Sequence, residues 1–143
     1  MKYCYEYPRP MVCCDCIVVW KSQGQTPRIL LIERKNDPFK GNWALPGGFV
    51  DMDEDLEHAA LRELEEETGI SLIKMMQFAA YGQPGRDPRG RNISIVYYHV
   101  ADTELDAHAG DDAAQTQWFD IDKLPALAFD HEKIIRDFIK AIN

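Results

Sequence analysis

GFVDMDEDLEHAALRELEEETGI, residues 48–70, places a glycine ahead of an acidic, amphipathic segment. At about 100° per residue, Ala59 falls on the same helix face as Glu63 and Glu67, and Glu66 flanks that face. An apolar stripe therefore turns into a cluster of carboxylates near the end of the predicted helix. A solvated surface helix is the ordinary explanation for a Glu-rich run, but here the acids lie on the apolar side.

The acidic cluster predicts a site for a divalent cation. Carboxylates held together and partly out of water repel one another and lose solvation, and a bound cation removes both costs. Mg²⁺ suits such a site because it prefers oxygen ligands and keeps positions for water and phosphate. Arg62 lies beside Glu66 in helical angle, so its guanidinium can brace the carboxylates through paired hydrogen bonds.

The fixed positions of this stretch resemble the Nudix box: Gly, five residues, Glu, seven residues, Arg-Glu, apolar, any, Glu-Glu, any, Gly, apolar. Every defining position is filled, by Gly48, Glu54, Arg62, Glu63, Glu66, Glu67, Gly69 and Ile70. The chain is thus similar to Nudix hydrolases, which cleave nucleoside diphosphates linked to another moiety. The resemblance implies an α/β fold, the Nudix α/β/α sandwich with a mixed sheet, as a single domain over residues 1–143.

The resemblance also implies roles for individual residues. It assigns Mg²⁺, with Mn²⁺ as an alternative, to ligands from the box: the Gly48 carbonyl, Glu63, Glu66 and Glu67. The three glutamates are also the expected catalytic residues, and Arg62 is expected to orient them.

The general base is left open by the resemblance, since some Nudix enzymes use a box glutamate and others a carboxylate on a later loop. The loop 109–113 offers Asp111 and Asp112, and Asp112 is the candidate from this loop. An ordinary polar turn explains the two aspartates equally well.

Substrate choice must come from outside the box, and the loop 82–91, GQPGRDPRGR, is the candidate. It places Arg86, Arg89 and Arg91 in a proline-restricted connection suited to phosphate. The segment resembles the Pro-x-Arg-Asp-Pro-Arg-Gly stretch of the ADP-ribose pyrophosphatase branch, although its Gly-Gln-Pro-Gly opening departs from it. Trp43 is the candidate to stack on a base. Solvated arginines and a core tryptophan are the alternatives.

Three functions follow from these motifs. The leading one is Mg²⁺-dependent hydrolysis of a nucleoside diphosphate sugar, ADP-ribose foremost, to AMP and ribose 5-phosphate. A nucleotide-sanitising triphosphatase, for example on 8-oxo-dGTP, is the second, and the arginine loop argues against it. The third is a non-catalytic ADP-ribose-sensing domain of the kind joined to a winged helix. We expect turnover instead, because the box is complete and residue 143 leaves no room for such a helix domain.

Composition narrows the classes further. A chain of 143 residues that is 45% hydrophobic can bury its own core. The net charge of −8 disfavours nucleic acid and anionic membranes as partners. No apolar run approaches the ~18 residues of a membrane span, and no signal-peptide pattern opens the chain. We therefore expect a soluble, cytoplasmic protein.

Four cysteines lie near the start of the sequence: Cys4, Cys13, Cys14 and Cys16. On a strand Cys14 and Cys16 share a face while Cys13 points away, so the group is poorly placed to converge on one zinc ion. Buried, reduced thiols are the better interpretation.

Periodicity predicts alternating strands and two helices. The expected strands cover residues 12–20, 28–34, 43–45, 72–81, 93–101 and 116–119; the expected helices cover 55–68 and the residues from 130 or 131 onward. Ahead of them, residues 3–10 alternate three tyrosines and include two prolines. This aromatic arm predicts a homodimer surface, with folding back on its own domain as the alternative.

Overall fold

The centre of the molecule is one long apolar strand, β1, to which the rest of the sheet is added on both sides. The computed structural model describes residues 2–110 and 113–142. Its elements are β1 (Met11–Trp20), β2 (Arg28–Arg34), β3 (Trp43–Ala44), β4 (Gly47–Phe49), α1 (Leu56–Thr68), β5 (Met76–Tyr81), β6 (Asn92–Ala101), β7 (Ala113–Asp120) and α2 (His131–Ile142).

The seven strands form one mixed sheet. Its main path runs β3-β2-β1-β6-β5, with β4 added to β1 and β7 added to β2. The β1 and β6 strands are parallel over ten residues, from the pair Met11 and Asn92 to the pair Trp20 and Ala101, and the other ladders are antiparallel. A parallel central pair is expected to be covered on both faces, and the two helices provide that cover.

The side chains of β1 divide between the two helices with the period of two that a strand imposes. One set packs with α1: Cys14, Cys16, Val18, Ala59, Ala60 and Leu64. The other packs with α2: Ile17, Val19, Ile134, Ile135 and Phe138. This arrangement confirms the predicted Nudix α/β/α sandwich, and it places the thiols of Cys14 and Cys16 on one face, as the sequence indicates.

Helix α1 lies very close to the sheet because its inner face is built from small residues. Ala59 and Ala60 are fully buried. The Cys14 Sγ donates to the Leu56 carbonyl at 3.4 Å, and the Cys16 Sγ donates to the Ala60 carbonyl at 3.3 Å. Burial raises the pKa of the Cys16 thiol well above its usual range, so this group packs as a neutral side chain.

Two strands differ from the prediction by more than one residue at an end, and β4 (Gly47–Phe49) was not among the predicted strands. The predicted strand 72–81 begins only at Met76, because the backbone of the preceding segment bonds to side chains of α1 instead of to a neighbouring strand. The Met75 N–H donates to Glu57 Oε2 at 3.1 Å, and the Ile70 N–H donates to Thr68 Oγ1 at 3.2 Å. Strand β7 is longer than predicted, since it pairs with β2 along its whole length.

Across the described ranges 2–110 and 113–142, neither helix combines the length and the apolar character that a bilayer crossing requires.

Candidate functional site

A cleft of about 510 Å³ opens between the glycine turn, which we define as residues 45–48, the side of α1 and the start of α2. Its lining includes both acidic and basic side chains, foremost Glu63, Glu67, Arg34, Arg62, Arg86 and Arg89. The volume is within the range of small-molecule sites. The presence of carboxylates and guanidiniums in one cleft suits a ligand that carries both a cation and phosphate groups.

The glycine turn fits directly against the carboxylates of α1. A methyl group added at Gly48 would meet the two Glu63 carboxylate oxygens at 2.5 and 2.6 Å, which is closer than side chains approach. The Gly47 N–H donates to Glu67 Oε2 at 3.3 Å. A side chain at position 48 would therefore displace the Glu63 carboxylate, and the hydrogen bond from Gly47 to Glu67 links the turn to α1.

Arg62 joins three carboxylates of the box. Its Nε and Nη2 bind the two oxygens of Glu54 at 2.7 and 2.8 Å, and its Nη1 lies 2.8 Å from Glu63 Oε1 and 3.2 Å from Glu66 Oε2. Nη2 also donates to the Phe49 carbonyl at 3.1 Å, which ties the guanidinium to β4. Hydrogen bonds from Arg62 hold the pKa of Glu54 down at about 2, although burial acts in the opposite direction.

The three predicted metal ligands differ in exposure. Glu67 is buried and the Glu63 side chain is 13% exposed, and both line the cleft, whereas the Glu66 side chain is 54% exposed and is not part of the cleft lining. In the present side-chain positions, no three acidic, imidazole or thiol groups of residues 2–110 and 113–142 converge closely enough to hold an ion.

The donors nevertheless fit Mg²⁺ in kind. They are carboxylate oxygens and a backbone carbonyl, the hard ligands that this ion prefers. One nitrogen of Arg62 already bridges Glu63 and Glu66, so these carboxylates are gathered around positive charge. The same guanidinium also pairs with Glu54, so its one positive charge is shared among three carboxylates. The cluster therefore keeps a net negative charge, which suits a divalent cation.

The loop 82–91 brings two of its three arginines to the cleft. Arg86 makes a bidentate pair with Asp130, at 2.8 Å from Nε and 2.7 Å from Nη2, and its side chain is only 4% exposed. Arg89 pairs with Asp87 at 2.8 Å, and its guanidinium lies 5.3 Å from the ring centre of Phe49. Burial acts to raise the pKa of Asp87, but hydrogen bonds from Arg89 and Asn92 lower it to about 2.

Other predicted site residues are not brought to the cleft. Arg91 donates to the Gly82 carbonyl at 2.7 Å on the exposed side of the loop. Trp43 packs edge to face on Phe119, with ring centres 4.9 Å apart, in the core beneath α2. Asp112, the candidate base, lies outside the described residues, as does its neighbour Asp111.

The cleft is also lined by residues that were not among the predicted site residues, and these include Asp15, Phe129 and His131. Residues 130 and 131 were considered only as the start of a helix, yet Asp130 holds Arg86 and His131 contacts the glycine turn. Asp15 had a signal in the sequence, because it is the one charged residue within the apolar run of β1. Phe129, which adopts a positive φ of 52°, had none.

Comparison with known proteins agrees with this geometry. The model of the NUDIX domain matches residues 11–141, which is most of the chain. The chain belongs to the Nudix family. It is 48% identical over 138 residues to the ADP-ribose pyrophosphatase of Methanocaldococcus jannaschii, a match that covers 96% of this chain and 78% of that protein. Together these matches identify the chain as a Nudix pyrophosphohydrolase.

Two further relatives of this Nudix chain are similar in sequence or structure. The ADPR responsive transcriptional repressor NtrR of Acinetobacter baylyi is 34% identical over 142 residues; the match covers 96% of this chain and only 56% of the repressor. The NUDIX domain of Shewanella oneidensis NrtR, solved in complex with ADP ribose, superposes with a TM-score of 0.88 at 27% identity. That superposition covers 96% of this chain and 91% of the solved one.

Proposed function

We propose that this Nudix protein hydrolyses the pyrophosphate bond of a nucleoside diphosphate sugar, ADP-ribose foremost, and releases AMP and ribose 5-phosphate. The observation that carries the proposal is the cleft, in which Glu63 and Glu67 of the box lie together with Arg86 and Arg89 of the loop 82–91. The 48% identity to an ADP-ribose pyrophosphatase supports the choice of substrate.

The chemistry requires positive charge on the phosphate oxygens, a water molecule in line and a base for its proton. Mg²⁺, or Mn²⁺ in its place, would be held by Glu63, Glu66, Glu67 and the Gly48 carbonyl, and when bound it supplies that positive charge and makes water more acidic. Arg62 keeps Glu63 and Glu66 oriented through its shared nitrogen. The glycine turn sets the distance between the Gly48 backbone and Glu63.

The arginines of the loop would bind the substrate. Arg89 is the stronger candidate, because its side chain is 40% exposed at the cleft. Its ion-pair partner, Asp87, belongs to the same loop. Arg86 is nearly buried against Asp130, so it would contribute positive potential and wall shape more than a mobile contact. Substrate contacts by Arg91 and Trp43, and a base at Asp112, stay predictions from the sequence.

A substrate panel tests the proposal. Purified protein with Mg²⁺ would be given ADP-ribose, a GDP-linked sugar, ATP and 8-oxo-dGTP, and the release of AMP, GMP and inorganic pyrophosphate would be followed. We expect the highest kcat/KM for ADP-ribose and no turnover with excess chelator. A higher kcat/KM for a triphosphate, with pyrophosphate release, would replace the proposal by the sanitising function.

The similarity to the repressor NtrR favours one other candidate, an ADP-ribose-binding domain without turnover. Both candidates predict ADP-ribose binding, which calorimetry would detect, and only the first predicts AMP release. The intact set of box glutamates supports turnover.

The proposal also covers the cellular location and the partners of the protein. We regard residues 1–143 as one Nudix domain that acts in the cytoplasm and binds neither nucleic acid nor membrane. The net charge of −8 supports the absence of polyanionic partners. Cys13, Cys14 and Cys16 are buried and free, which suits a reducing compartment.

A further inference from the structure

We infer that His131 is a positioning residue that fixes the glycine turn, residues 45–48, and thereby the approach of Gly48 to the box carboxylates. The expected effect of His131 on catalysis rests on the proposed function, whereas the contacts that His131 makes do not depend on any substrate. It extends the site to the first residue of α2 and to a buried aspartate of β1.

The contact between His131 and the turn defines the tautomer of the ring. The Leu45 N–H donates to His131 Nδ1 at 3.0 Å, and the histidine side chain is 4% exposed. Because Nδ1 accepts a hydrogen bond, the proton of the neutral ring is on Nε2. Nε2 faces Asp15, with 3.7 Å between it and Oδ2.

Asp15 completes the support beneath the turn. Its Oδ2 accepts a hydrogen bond from the Ser94 hydroxyl at 2.5 Å, which anchors the carboxylate to β6. Asp15 is also the β-ladder partner of Gly47, and a methyl group added at Gly47 would collide with Asp15 Oδ1. The carboxylate therefore contacts the turn backbone directly and faces the imidazole that holds the turn at Leu45.

The turn is fixed at successive positions by different elements. His131 holds the Leu45 N–H, the Cys16 N–H of β1 donates to the Pro46 carbonyl at 2.7 Å, and Glu67 accepts from the Gly47 N–H. Of these fixed points, only the first comes from α2. Loss of the His131 contact would free the Leu45 end and allow Gly48 to move relative to Glu63. Misplacement of about 1 Å near a reacting centre can reduce a rate by about 100-fold.

A role for His131 in proton transfer does not fit its surroundings. The ring is buried, and Nδ1 accepts a hydrogen bond from the Leu45 N–H. A ring protonated at both nitrogens could not accept this bond. Burial lowers the pKa of His131, against the raising effect of Asp15 and Asp130, while Arg86 and Arg34 lower it further. The neutral ring acts through the turn and does not exchange a proton with the substrate.

Two substitutions separate positioning from simple packing. His131→Phe keeps much of the volume and removes both nitrogens, whereas His131→Asn offers an oxygen near the position of Nδ1 and restores an acceptor for Leu45. Phe138→Leu is the matched control for lost stability, because it changes a buried residue of the same helix in the core cluster that also contains Leu45 and leaves the His131 hydrogen bond in place. Each folded variant would be compared by thermal unfolding, by amide hydrogen exchange at Leu45 and by kinetics with ADP-ribose and Mg²⁺.

We expect the wild-type ring to carry its proton on Nε2 by nitrogen NMR. In His131→Phe the Leu45 amide should exchange faster than in Phe138→Leu, and kcat should fall by about 10- to 100-fold, the usual effect of losing a residue that orients catalytic groups. KM for ADP-ribose should change far less. His131→Asn should recover most of the Leu45 protection and of kcat.

Each contrary result overturns the inference. These results are a proton on Nδ1 in the wild type, Leu45 exchange in His131→Phe equal to that in Phe138→Leu, or a kcat in His131→Asn no better than in His131→Phe. If His131→Phe does not fold, the inference is tested by the tautomer of the wild-type ring and by the rate of Leu45 amide exchange in His131→Asn. A wild type that leaves ADP-ribose intact would refute the proposed function, while the NMR measurements would still test the role of His131.

Discussion

Single residues of the box differ in what they contact, and these contacts divide them by role. Glu54 is fully engaged by Arg62 and helps to hold the guanidinium, whereas Glu63 and Glu67 touch the glycine turn. Glu66 reaches the same arginine from the exposed side of α1. The sequence pattern alone puts all four in one motif; the contacts distinguish the residue that braces the helix from those that face the cleft.

The first prediction concerns the proposed metal ligands. Glu67→Gln and Glu66→Gln should each lower kcat by well over about 100-fold, since a direct ligand matters more than a residue that orients one. Without metal, the free energy of unfolding should stay level or rise, because repulsion among carboxylates is relieved. Glu65→Gln, an exposed change on the same helix, is the control. Turnover equal to the control in both variants would refute the assignment.

The second prediction concerns acid stability. The pKa of Glu54 is lowered from 4.5 to about 2 in the folded protein, so its contribution is present above pH 4.5 and is lost as pH falls toward 2. Urea unfolding at pH 7 should find Glu54→Gln less stable than the wild type. The difference should shrink steadily between pH 4.5 and pH 2.5. A difference that stays constant over that interval would show that the Glu54 charge is not the cause.

The part of the site on α1 could be predicted from the sequence because its residues follow the helical period. Glu63, Glu66, Glu67 and Arg62 lie on one helix, and helical angle is enough to group them. Asp15 and His131 are more than a hundred residues apart in the chain and meet only because β1 and α2 pack together. No local sequence pattern indicates such a contact, so the residues that support the glycine turn could be identified only from the folded structure.

At the scale of elements, the glycine turn and the loop 82–91 shape the cleft from outside α1. The turn lies between β1 and the helix, and the loop is held by the Arg89–Asp87 pair within it and by the pair of Arg86 with Asp130, which precedes α2. The sequence indicated a turn and an arginine-rich connection. It did not show which arginines would be paired, because Asp130 reaches Arg86 only across the folded structure.

The third prediction tests the fit of the turn. Gly48→Ala adds a methyl group in the space of the Glu63 carboxylate, so Glu63 must move away from the turn. We expect a folded protein in which kcat falls and the Mg²⁺ concentration for half-maximal activity rises. Gly24→Ala, at a turn outside the cleft, controls for general destabilisation, because its φ of 77° disfavours a side chain although no atom lies within 4 Å of the new group. Unchanged Mg²⁺ dependence in Gly48→Ala would contradict the close fit.

The fourth prediction concerns the loop arginines. Arg89→Ala should raise KM for ADP-ribose, with a smaller effect on kcat, because a ground-state phosphate contact is lost. Arg86→Ala should also raise KM but should lower stability as well, since Asp130, whose side chain is 18% exposed, is left without its bidentate partner. Arg28→Ala, which removes an exposed pair with Asp120 away from the cleft, is the control. Kinetics equal to this control in both variants would remove the loop from substrate binding.

At the scale of the whole molecule, the sheet order explains why one cleft gathers distant segments. The central strands β1 and β6 place Asp15 beside Ser94, β4 brings the glycine turn onto β1, and the two helices close both faces. Apolar patterns predicted six of the seven strands and both helices, and β4 was not among the predicted strands. The strand order could not be predicted from those patterns, because pairing of β1 with β6 depends on contacts eighty residues apart.

The fifth prediction is that the protein is a homodimer. Tyr3, Tyr5 and Tyr7 are 50%, 42% and 71% exposed, so the aromatic arm keeps apolar surface available for a second copy. Light scattering at tens of micromolar should give about twice the 16.4 kDa chain mass. Replacing the three tyrosines with serine should return the mass to that of one chain. A wild-type mass of one chain would contradict the dimer.

The most direct test of the account is to follow ADP-ribose in ¹⁸O-labelled water with Mg²⁺ and to weigh the products by mass spectrometry. We predict AMP and ribose 5-phosphate in equal amounts, with one ¹⁸O atom in the phosphate of one of them, and formation of both products well over about 100-fold slower in the Glu67→Gln variant. Intact ADP-ribose, or ADP and free ribose without label in a phosphate, would contradict hydrolysis at the pyrophosphate bond.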